Sequence, residues 1–96
     1  MGETRGDSFV MTEPETPITF SAFIIGLAST ALIHLGVTPN PENGQHTPDL
    51  VQARQAIDVL DLLRTKTRGN LTEEEEHLFN SVLTDLRIRY VDKSTA

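Results

Sequence analysis

From Thr16 to Pro41 the chain carries no Asp, Glu, Lys or Arg, and within that window FSAFIIGLASTALIHL (Phe20–Leu35) is apolar at most positions. Phe20, Phe23, Ile24, Leu27, Ala31 and Leu35 follow a spacing of three and four and so share one helical face. Ala22, Gly26, Ser29 and Thr30 make a second face of small residues, and Ile25, Leu32 and Ile33 leave little room for a solvated one. A helix that is apolar on nearly every side must be buried nearly all round, in protein or in lipid. This first helix, expected over Thr19–Leu35, therefore organises the rest of the chain. Thr19 or Ser21 can cap it by accepting from an unpaired backbone N–H. Gly36 can end it, since glycine takes the left-handed conformation without a Cβ penalty.

Gly36 to Thr47 is dense in Pro, Asn and Gly and reads as a loop. A second helix is expected over Pro48–Arg68, with Leu50, Ala53, Ile57, Leu60 and Leu63 as its buried stripe, widened by Ala56 and Val59. Gln52, Arg54, Asp58 and Asp61 face away from that stripe. Thr47 is the expected N-cap, with Pro48 at the first helical position and Asp49 in the first turn. Arg64, Lys66 and Arg68 crowd the negative end of the helix dipole, and Gly69 is expected to close the helix.

A third helix is expected over Glu73–Asp92. Thr72 and Glu75 form a capping box, and Glu73 to Glu76 sit at the positive end of the dipole. Leu78, Phe79, Val82, Leu83, Leu86 and Tyr90 supply its apolar stripe, and Asp85 and Arg89 can pair on the outer face. The short turn between the second and third helices predicts an antiparallel helical hairpin. No strand pattern competes, so the fold class is all-α. Residues 1–17 lack apolar periodicity and read as a disordered acidic tail, 18–92 as a three-helix domain and 93–96 as a disordered C-terminus. Met11 is an alternative start to Met1.

Composition narrows the functional classes. Ninety-six residues make a single domain. There is no Cys, which excludes disulfides and thiolate metal sites. A net charge of −6 with one Tyr and no Trp disfavours nucleic acid, which is bound through Lys, Arg and stacking aromatics. Glu13, Pro14, Glu15 and Pro17 stand where a signal peptide needs a basic segment. Ile18 to Val37 is long enough to span a bilayer. It contains Thr19, Ser21, Ser29, Thr30 and His34, however, and lacks flanking Lys, Arg, Trp or Tyr anchors. A cytoplasmic protein is expected, with membrane association as the lesser reading.

Candidate chemistry is sparse. His34, His46 and His77 are the possible nitrogen ligands, and no H-x-x-x-H or E-x-x-H spacing joins any of them to a partner. The Arg5-Gly6-Asp7 triplet reads as chance. Consecutive glutamates on a helix point in different directions and do not converge on one ion. Lys66 to Asn70 is basic and contains Gly69, but it lacks the strand and the spacing of a phosphate-binding loop. Lys66 and Arg68 instead suggest an exposed docking edge for an acidic partner. Nothing holds a nucleophile beside a base, so no enzyme, metal or cofactor is expected.

The run IDVLDLLRTKTRGNLTEEEEHLF (Ile57–Phe79), ending in LTDLRIRYV (Leu83–Val91), resembles the bacterial domain-of-unknown-function family 1844. Upstream, Phe20–Phe23 and LASTALIHLGVTPNP (Leu27–Pro41) are similar to it too, so the likeness spans roughly Ile18 to Asp92. The resemblance implies a small, cytoplasmic, all-helical bacterial protein and brings no catalytic residue or cofactor with it.

Two amphipathic helices cover only part of a helix that is apolar all round. The expected closure is a twofold homodimer with the first helices packed on each other. Phe20, Phe23, Ile24, Gly26, Leu27, Thr30, Ala31 and His34 are its expected interface. The expected function is a non-enzymatic interaction module, an adaptor or regulatory subunit of a signalling or small-GTPase system. The alternative is a helical bundle holding a small molecule near His34.

Overall fold

The computed structural model describes residues 18–95, which form three helices: α1 (Phe20–Leu35), α2 (Leu50–Lys66) and α3 (Glu73–Ser94). The tail expected over 1–17, the choice between Met1 and Met11, and Ala96 lie outside the described residues.

Each helix begins and ends for an identifiable reason. Thr19, in extended backbone, caps α1 by accepting from the Ala22 amide at 3.0 Å. Gly36 closes it at φ 80°, and its N–H donates to the Ile33 carbonyl at 3.0 Å. The following loop is folded back onto that end. The Asp49 amide donates to the His34 carbonyl at 2.7 Å, and His46 Nδ1 lies 2.8 Å from the Gly36 carbonyl oxygen.

This tether corrects the expected start of α2. Thr47 is not the cap, and Pro48 is not the first helical residue, because both belong to the loop that crosses Gly36. The cap is Asp49, whose carboxylate accepts from the Gln52 amide at 3.2 Å. The end of α2 is also earlier than expected. Thr67 is the C-cap, its hydroxyl donating to the Leu63 carbonyl at 2.7 Å, so Gly69 does not close the helix. Gly69 is left-handed, at φ 86°, in the turn that follows.

The capping box of α3 has both of its bonds. The Glu75 amide donates to Thr72 Oγ1 at 3.1 Å, and the Thr72 amide donates to Glu75 Oε1 at 2.9 Å. α3 runs two residues beyond its expected end, to Ser94, and is capped by Thr95.

The core is built in equal parts from the three helices. Ile24, Ala31 and Leu35 of α1 meet Ala53, Ile57 and Leu60 of α2 and Phe79, Leu83 and Leu86 of α3. Phe20 seals one end, its ring centroid 5.7 Å from that of Phe79 in a tilted arrangement. Burying each Ile, Leu or Phe contributes about 1.5–3 kcal/mol, far more than any surface contact here. Asp61 and Arg87 bridge α2 and α3 at 3.1 Å, but both side chains are half exposed, so the pair adds at most about 1 kcal/mol. Among the described residues no polar or charged side chain is buried. Packing of apolar side chains holds the fold, and the polar atoms set where the helices start and stop.

Candidate interaction face

α1 has two sides with different fates. Its core side is spent inside the chain: Ile24 is 1% exposed and Ala31 is fully buried. Neither has surface left for a second copy, which removes both from the expected dimer interface. Phe20 is half-buried against Phe79, and Leu27 and His34 are half-buried beside α2.

The opposite side is exposed and carries no charge: Ala22, Phe23, Ile25, Gly26, Ser29 and Thr30. Its hydroxyls make no demand on a neighbour. Ser29 Oγ donates to the Ile25 carbonyl at 3.0 Å, and Thr30 Oγ1 donates to the Gly26 carbonyl at 3.3 Å. Both are satisfied one turn back on their own helix, so the side turned outward is apolar in effect.

α2 extends this surface. Val51, Gln52, Gln55, Val59 and Leu62 are exposed along its outer side, again without a charge. Arg54, Asp58 and Asp61 lie toward α3 instead, lining its cleft or pairing with Arg87, and Arg64 and Lys66 carry the charge of the last turn of α2. Between α1 and α2 runs a groove of about 270 Å³. Leu27, Thr30 and His34 form one wall and Gln55, Ala56 and Val59 the other. Phe23, 51% exposed, stands on the same side of α1 two turns before Thr30.

The remaining expected residues are dispersed. Lys66 and Arg68 are exposed at the end of α2, where Arg64, Arg68 and Glu76 line a separate polar hollow of about 280 Å³. His77 lies exposed on α3, and the three histidines share no site. Among the described residues no three His, Cys, Asp or Glu side chains gather as metal ligands would. Among the described residues no helix is long and apolar enough to cross a membrane.

The outer stripe of α2 is the part of this surface that sequence reasoning missed. Val59, expected to widen the buried stripe, is 46% exposed, while Gln52 faces solvent as expected. The available signal was the 3-4-3 spacing of Gln52, Gln55, Val59 and Leu62 without a charge, which is a second face on the same helix.

Fold and face together define a small three-helix domain whose first two helices present one surface free of charge as far as Leu62. The chain belongs to DUF1844, a domain of unknown function, whose pattern matches residues 17–92 and so takes in all three helices but the last residues of α3. No curated protein and no solved structure matches it.

Proposed function

We propose that this chain is a non-enzymatic interaction module of the cytoplasm that works as a homodimer, an adaptor or regulatory subunit rather than a catalyst. The observation that carries the reading is the uncharged outer face of α1 and α2, with Phe23 and Ile25 each 51% exposed and Leu62 56% exposed. A continuous apolar surface of this kind on a small domain marks a site of association. A chain of this size also gains from pairing, since a short domain buries a modest fraction of its surface alone.

Light scattering at micromolar concentration tests the first half of the proposal. It should return twice the 10.6 kDa of one chain, and a monomeric mass would overturn the dimer. Capture of a protein partner through the exposed Lys66 and Arg68 tests the second half. The groove beside His34 favours one further reading, a small apolar molecule held between α1 and α2. Native mass spectrometry of the purified chain decides between them, because a retained small molecule would add its own mass.

A further inference from the structure

We propose that two copies pair through α1 in antiparallel orientation, with Phe23 of each seated in the α1–α2 groove of the other. This rests on the homodimer reading and adds the orientation and the contact that it lacks.

The first argument is one of shape. Phe23 protrudes from the uncharged face, and its ring lies 6.3 Å from that of Phe20. The groove of about 270 Å³ opens on the same side of the helix around Thr30. Two turns of helix, about 10 Å, separate the projection from the hollow. A twofold axis perpendicular to α1 and midway between them places each Phe23 opposite the other copy's Thr30. One operation then fills both grooves. A parallel pair sets Phe23 against Phe23 and leaves both grooves empty.

The second argument is independent of the first. The midpoint between Phe23 and Thr30 falls beside Gly26. Glycine is the least favourable residue in a helix interior after proline, and within one copy nothing requires it here. A Cβ built on Gly26 meets no atom within 4 Å, and its backbone is ordinary helix. At the axis of an antiparallel pair the two backbones approach most closely, and a missing Cβ allows that approach.

Charge supports a second copy rather than an unlike partner. Across a twofold axis every residue near the axis meets its own equivalent, so a charge there would face its like. The whole chain carries −6, yet this face carries none. A face built to draw an unlike partner would be expected to offer charges for steering.

The test uses the full chain, with a label site that lies off the face. The protein has no cysteine, so Thr38→Cys provides a single spin-label site on an exposed position just beyond α1. Antiparallel pairing puts the two labels roughly 25–30 Å apart, from about 1.5 Å of rise per residue between the axis and the end of α1 on either side. Parallel pairing brings them within about 20 Å, the width of two packed helices. In parallel, Phe23→Ala and Gly26→Leu should each weaken the dimer at least tenfold while the helix content by circular dichroism stays unchanged. A wild-type monomer would overturn both the homodimer and this inference. A dimer with the short distance would overturn the antiparallel pairing alone. A dimer with the long distance that is indifferent to Phe23→Ala would overturn the seat in the groove.

Discussion

Pro48 lies against the α-carbon of Gly36. A Cβ at position 36 would stand 3.0 Å from the Pro48 Cβ and 3.1 Å from its Cγ, closer than side chains pack. Gly36 therefore answers two demands at once, a left-handed end for α1 and room for the loop that returns to α2.

Gly36→Ala should destabilise the protein by more than the about 1–2 kcal/mol of left-handed strain, since Pro48 must also shift. Gly69→Ala, at φ 86° with nothing within 4 Å, carries the strain alone and should cost about 1–2 kcal/mol. Urea unfolding at one fixed protein concentration gives both values. Equal losses would show that the Pro48 contact is soft.

The start of α2 separates two residues that look equivalent in sequence. Asp49→Ala removes the carboxylate that accepts from Gln52 and should cost about 0.5–2 kcal/mol. Thr47→Ala should change stability by less than about 0.5 kcal/mol, as at other surface positions. Thermal melting of the two variants side by side checks the ordering.

Phe79→Ala should be the most damaging truncation. Phe79 is fully buried where α3 meets Phe20, and deleting such a ring costs about 3–5 kcal/mol. In a domain this small that removes most of the stability, so circular dichroism should show a broad, early transition. A variant that melts like wild type would mean that this end of the core repacks.

Lys66→Glu with Arg68→Glu should leave folding intact, because both side chains are exposed and their interaction with the helix dipole is screened by salt. The same double change should weaken the capture of an acidic partner. Melting and pull-down measured together distinguish a docking edge from a helix end whose charges serve only the dipole.

Much of the fold could be read from the chain because its cues are local. The spacing of Phe79, Leu83 and Leu86 marks a face, and Thr72 with Glu75 marks a helix start within four residues. The start of α2 is ambiguous in the sequence because Thr47, Pro48 and Asp49 all suit a helix N-terminus. What chooses among them is the bond from Asp49 to His34, a contact between residues far apart in sequence. The same limit applies to the face. Periodicity shows that α1 is apolar all round, but not which side α2 and α3 occupy. Ile24 and Phe23 are one residue apart in the same apolar run, yet one is sealed in the core and the other half exposed. Likewise the groove beside His34 exists only once α2 lies alongside α1.

The order of the helices has a consequence during synthesis. α1 is made before the other two helices, and among the described residues the buried side chains that cover its core side lie downstream, from Ala53 on α2 to Leu86 on α3. Leu86 is added about fifty residues after Leu35, which at about 5–20 residues per second is an interval of several seconds. Until α2 is complete, a helix without a single charge has none of its described core partners to pack against. Translation speed through α2 and α3 thus sets how long α1 stays open to wrong partners, and slow codons there should raise the insoluble fraction of the newly made chain.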